Sequence, residues 1–344
     1  MRIREIDLAR GMTVFIMAPV HAVLIYSTVA VHHSLLGIVL AFLAEGPGAP
    51  LFMWLMGLSY GLFSKPGSTL ALTRALKLLG LAYLLNILKF LIPLSLGFIP
   101  SKLLTDYGIS GGPRAYLQLF GLGDILQLAA ISIIILYLIR QLPHFRIWAA
   151  LLAAGVTLAA PLLWRPDSPS LIGYPGNLLW GMGPTEFFPV FPWLAFPLIG
   201  LACSEWLAVK KPIFSPFLLC GALLLVLGIG LKQVPFLAAS PDFYRMGPAD
   251  TLIHSGIVLV WLYLCHWCIV IVPANRIFQG VFYLSRHITQ IYIIQWILVF
   301  WMLGIIGYDR LGMTSSLVCV VLINIPVFGI SMAVDRIRSG WLTP

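Results

Sequence analysis

Apolar runs of about 20 residues recur from one end of this chain to the other, and that recurrence leaves few folds open. Each run is long enough to cross ~30 Å of hydrocarbon as a helix. Ten can be marked, over residues 11–31, 36–63, 72–94, 122–140, 147–164, 189–208, 213–231, 250–272, 287–305 and 316–334. Charged residues make up only 10% of the 344 residues, against about 25% in an ordinary soluble domain. The sequence predicts an all-α, polytopic membrane protein of about ten transmembrane helices, forming a single transmembrane domain over 1–344. The lipid bilayer is its first partner.

Charge sets the expected topology. With the N-terminus in the cytoplasm, fourteen of the 21 Lys and Arg residues fall on the cytoplasmic side and six on the opposite face, with Lys89 inside the third run. That bias fits an even number of spans with both termini cytoplasmic, in a multi-pass protein of a cell membrane, read here as a bacterial inner membrane. The net charge of +9 includes no segment dense enough for nucleic acid. The five cysteines all lie inside apolar runs, which argues against a disulfide framework. Cys265-His266-Trp267-Cys268 has no second ligand pair and reads as apolar filler around one polar histidine, so no metal site is predicted. There is no Walker-type phosphate loop and no dinucleotide fingerprint.

Ionisable groups on membrane-length segments are costly, so each asks for a reason. In the first run Arg10 stands at the cytoplasmic mouth and His21 eleven residues on, which is ~16 Å deeper along a helix. On a continuous helix His32 and His33 lie another ~16–18 Å along. Glu45 precedes Gly46-Pro47-Gly48-Ala49-Pro50, a cluster expected to break the second helix and free backbone groups that only protein or a wet cavity can satisfy. A carboxylate there is a candidate acid–base partner for a histidine. Asp124 and Gln127 open the fourth run one turn apart, and Asp124 also suits a helix N-cap. Glu186 precedes a stretch with Pro189, Pro192 and Pro197, and His254 follows Asp250 by one turn. Long connections over 95–120, 165–188 and 232–249 gather Tyr107, Tyr116, Trp164, Tyr174, Trp180 and Tyr244. These aromatics read as an interfacial belt, or in one or two cases as platforms for a sugar ring.

These residues carry a resemblance. Arg10 and His21 within IDLARGMTVFIMAPVHA resemble the Arg-x10-His signature of acyltransferase-3 membrane proteins, which acylate cell-surface sugars. GPGAPLFMWLMGLSYGL, GLGDILQLAAIS, FFPVFPWLAFPLIGLACS and SRHITQIYIIQW, in that order, are similar to the heparan-α-glucosaminide N-acetyltransferase-like group. The resemblance implies a ten-or-eleven-helix acyltransferase that uses cytosolic acetyl-CoA and an acceptor on the far side. It implies a histidine base at His21 in the first branch, and at His32 or His33 in the second, with Glu45 approximating that branch's acid. The chain departs from the pattern at Gly121, where an arginine is expected, and at Val20, where an aspartate is expected.

The sequence thus leads to acyl transfer from an acyl-CoA to a sugar or other small hydroxyl or amine acceptor. Acetyl-CoA is a co-substrate, with no permanently bound cofactor. His21, His32, His33 and Glu45 are the catalytic candidates. Arg10, Arg74 and Lys77 are assigned to the CoA phosphates, and Asp124, Gln127, Glu186 and His254 to the acceptor. A homo-oligomer is compatible with this reading. The competing class is a small-solute or sugar transporter or channel that uses the same histidines as a proton relay.

Overall fold

The computed structural model describes residues 3–65, 67–166, 173–183, 186–207 and 214–341. The basic residues Arg2, Lys210 and Lys211 and the side chain of Tyr174 lie outside the described set. Among the described residues the architecture is all-helical, with no β-strand. Among the described residues, seven helical segments, some with internal breaks, are long and apolar enough to cross a membrane: Arg4–Tyr26, Leu35–Phe63, Leu70–Ser95, Phe145–Leu163, Pro248–Ile271, Ile288–Ile306 and Met313–Ser339. The other three apolar runs correspond to the shorter helices Ile125–Arg140, Val190–Ala202 and Ser215–Leu231. The Val190–Ala202 segment is interrupted at Phe191, whose extended backbone separates its first turn from the rest. Pro189 and Pro192 flank that residue, and the position before a proline is driven out of the helical region.

The chain divides into two compact units. The first comprises Met1–Ala44, Ile87–Asp106 and Cys268–Pro344, the second Glu45–Asn86 and Tyr107–Trp267. In the first, helix Arg4–Tyr26 packs against Arg276–Arg286, Ile288–Trp301 and Met313–Leu322. In the second, Ala49–Phe63 and Phe145–Leu163 both pack against Ala195–Ala202, and Leu70–Asn86 packs against Ile125–Arg140.

The first helix is shorter than its apolar run. It ends at Tyr26, and Ser27 and Thr28 are extended before a separate turn at Val29–His32. The last carbonyls of a helix lack intrahelical donors, and here backbone supplies them. Asp309 N donates to Ile25 O, Arg310 N and Leu311 N both donate to Tyr26 O, and Thr28 N returns the pairing to Leu311 O. The expectation of one helix carrying Arg10, His21 and His32 in line is therefore corrected: only the first two share it.

The break expected after Glu45 is present. Leu35–Glu45 ends there, and Ala49–Phe63 begins after a turn with Pro50 in its first positions, where a missing N–H costs nothing.

Candidate functional site

Within the first unit, His21 follows a proline by two residues. Pro19 cannot donate to the carbonyl of Phe15, and the buried Asn324 side chain donates to that oxygen instead, at 3.2 Å. Further along the helix, His21 Nδ1 donates to Gln295 Oε1 at 2.9 Å. Its ring stacks on Trp296 with centroids 3.9 Å apart and planes inclined by 25°. Gln295 is wholly buried. Because an amide oxygen only accepts, this contact places the proton on Nδ1. Gln295→Leu is expected to lower kcat roughly 10-fold or more, as loss of a tautomer-fixing partner does, with little change in KM. Steady-state kinetics on the purified variant checks this.

The same indole carries a second polar contact. Lys89 Nζ lies 4.8 Å from the Trp296 ring centroid and 4.6 Å from that of Phe90. Lys89 sits on a π-helical turn, Ile87–Leu91. Its cause is legible in the sequence, since Pro93 has no N–H to offer the carbonyl of Lys89 four residues earlier. The distorted backbone is satisfied from outside the segment: Trp301 Nε1 donates to Leu88 O at 2.9 Å. The sequence alone assigns no role to Lys89, Gln295 or Trp296. A lysine or glutamine in the middle of an apolar run is itself the signal.

His32 is folded back. Its Nε2 donates to Val23 O at 3.0 Å, which brings the imidazole to the turn just after His21 rather than some three turns beyond it. Asp309, in a left-handed backbone conformation, acts electrostatically on His32. Its carboxyl is held below the usual aspartate range by its hydrogen bond with Lys102 first, and by the neighbouring His32 among lesser causes. His33 is exposed. Arg10 lies near the start of the same helix as His21, beside Asp7, which accepts from Ser285 Oγ at 3.0 Å.

The second unit gathers the remaining candidates. Asp124 and Gln127 form a reciprocal capping box. Asp124 Oδ1 accepts from Ile125 N at 2.7 Å, Gln127 Oε1 accepts from Asp124 N at 3.1 Å, and Gln127 Nε2 donates to Leu122 O at 3.1 Å. Glu186 is buried, and Phe187 N donates to Gly123 O at 3.0 Å, so the two segments run side by side. The buried Arg245 fastens the next loop to them, donating to Gly181 O, Gly183 O and Glu186 O, and pairing with Asp242 at 2.9 Å. That clasp presents Tyr244 among Phe187, Phe188 and Phe243, with ring centroids 5.2–5.3 Å away, and Trp193 Nε1 donates to the Tyr244 carbonyl at 2.8 Å. Burial, then Tyr107, Asp124, Glu45 and Asp242, push the Tyr244 phenol above its ordinary pKa. It is a neutral hydroxyl donor at any physiological pH. His254 Nδ1 donates to Asp250 O at 2.8 Å, and its ring lies 5.8 Å from Phe243.

The structure thus brings Glu45, Asp124, Gln127, Glu186 and His254 around the Tyr244 loop. Arg74 and Lys77, also of the second unit, are exposed on the Leu70–Asn86 helix. The capping box separates two roles of Asp124. Asp124→Ala should cost about 1 kcal/mol of stability, whereas Asp124→Asn keeps the cap. If the carboxylate also binds acceptor, the Asn variant has a raised acceptor KM and an unchanged unfolding midpoint. His266 of the Cys-His-Trp-Cys stretch stacks on Phe214 at 4.5 Å.

The membrane-length helices among the described residues mark a multi-pass membrane protein. The family described as "Heparan-alpha-glucosaminide N-acetyltransferase, catalytic" matches residues 2–228, and the chain belongs to that family. The protein is a membrane acetyltransferase-like transferase. Neither the comparison with curated proteins nor that with solved structures gives a match.

Proposed function

We propose that this chain transfers an acetyl group from acetyl-CoA to a hydroxyl or amine of a sugar acceptor, across a cell membrane that we read as a bacterial inner membrane. The observation that carries the reading is His21, with Nδ1 tied to Gln295 and its ring stacked on Trp296. A histidine whose ring is oriented by a buried amide and a stacked indole is held in place for proton transfer. The thioester is assigned to the first unit, with Arg10 on the donor side and His32 as the second proton-transfer group. The CoA phosphates are assigned to Arg10. In the second unit, the cluster around Tyr244 offers a sugar ring stacking surfaces, with hydrogen-bonding groups from Glu45, Asp124, Glu186 and His254.

The reaction then needs no cofactor. His21 Nε2 takes the acceptor proton, the acceptor oxygen or nitrogen adds to the thioester carbonyl, and the tetrahedral intermediate expels CoA as a thiolate that recovers the proton.

The test uses purified protein in liposomes with labelled acetyl-CoA on one side, and glucosamine and glucose as amine and hydroxyl probes on the other. Transfer of label to either sugar supports the reading. No transfer, with either sugar instead crossing the bilayer, makes the protein a transporter and overturns it.

A further inference from the structure

We propose that Lys89 is a catalytic residue of this transfer, the fixed positive charge that stabilises the oxyanion of the tetrahedral intermediate and the departing CoA thiolate. The proposal rests on the acyl-transfer reading above. Three observations of the first unit carry it. Lys89 is 1% exposed, and an amine on a membrane-length helix is retained at a cost that an apolar residue avoids. Its ammonium and the His21 imidazole pack against one indole, at 4.8 and 3.9 Å from the Trp296 centroid. The helix is rebuilt as a π turn at this residue, with the displaced backbone compensated by Trp301, and π distortions recur at functional sites. A packing role would not need the charge.

Acyl transfer at His21 builds up negative charge that a fixed cation can stabilise. When the acceptor adds to the thioester, the carbonyl π pair moves to oxygen. When the intermediate collapses, the C–S bond breaks and its electron pair leaves on sulfur, which then takes the proton held by His21. Negative charge appears first on oxygen and then on sulfur. In a site of low dielectric, a preorganised cation beside that charge is worth far more than in water.

Lys89→Met and Lys89→Arg are compared with wild type, with labelled acetyl-CoA as donor and glucosamine and glucose as probe acceptors. Lys89→Met should lower kcat by about 10²–10³-fold, the range for loss of one charge-stabilising group, with acetyl-CoA KM within roughly threefold. Lys89→Arg should recover a large part of the loss. The decisive readout is the leaving group. Acetyl-thionitrobenzoate releases a more acidic thiol that departs readily without help, so the Lys89→Met deficit should shrink by at least roughly tenfold on that donor. An equal deficit on both donors assigns Lys89 a structural role and overturns the proposal, as does an unchanged kcat in Lys89→Met. If Lys89→Met does not fold, Lys89→Arg is read on the two donors in its place, and an equal effect on both overturns the proposal in the same way. A wild-type protein without acetyl transfer overturns the functional reading itself, and the lysine's role with it.

Discussion

His21→Ala is expected to lower kcat for acetyl transfer by roughly 10³-fold, within the range for loss of a general base, while the protein still folds. The variant removes a ring that stacks on Trp296 and bonds Gln295, but the helix that carries it is held elsewhere. Tyr26 OH donates to Val299 O at 2.6 Å and Ser27 Oγ meets Ser316 Oγ at 2.7 Å, and neither contact involves His21. Steady-state kinetics together with a retained cooperative unfolding transition checks both halves of the expectation. His32→Ala is the companion measurement. If His32 loses more than His21 on the same assay, the base belongs at the folded-back turn.

The second large effect is on stability. In the second unit, helices Ala49–Phe63 and Ala195–Ala202 touch backbone to backbone. A Cβ at Gly57 would lie 1.8 Å from the Pro197 carbonyl oxygen, and one at Gly200 would lie 2.0 Å from that of Trp54. Small residues permit this approach between membrane helices. Any side chain must push the helices apart, and neither obstacle is a flexible side-chain end. Gly57→Ala should cost about 3 kcal/mol or more, at the upper end of overpacking effects. Gly155→Ala is the control, because a Cβ there meets nothing within 4 Å. It should be neutral or slightly stabilising, since alanine is the better helix former. Thermal unfolding of the three purified proteins in one detergent reads the difference. Equal midpoints for the Gly57 variant and wild type would mean that the helices separate easily, against the close packing described.

Much of the architecture was legible because a bilayer imposes one rule, that backbone groups be satisfied within the segment. Among the described residues, seven of the apolar runs are helical segments of membrane length and three correspond to shorter helices. The helix break after Glu45 follows from its Gly/Pro cluster, and the cap at Asp124 from its spacing to Gln127. What stayed hidden depends on contacts distant in sequence. Nothing near Ser27 announces that the backbone of 309–311 will end the first helix there, so His32 was placed a full segment too far from His21. Gln295 stands 274 positions from His21, and no local pattern links the two. Lys89 was visible as a charge inside an apolar run, and Pro93 as the cause of a distortion, but only the fold puts both beside Trp296. Glu45, a catalytic candidate, and the acceptor candidates Asp124, Glu186 and His254 stand at separate segment ends in the sequence, and only the fold gathers them near the Arg245 clasp and the Tyr244 loop.

The central claim is that the acetyl group is transferred at His21. A structure of the protein bound to a non-transferable acetyl-CoA analogue tests it most directly. The account expects the analogue's carbonyl carbon within about 3–3.5 Å of the position an acceptor atom must occupy to attack, that position lying within hydrogen-bond reach of His21 Nε2. Lys89 should face the carbonyl oxygen and the sulfur. An analogue whose thioester lies against His32 or His33, with His21 still enclosed by Gln295 and Trp296 and out of its reach, would contradict the account.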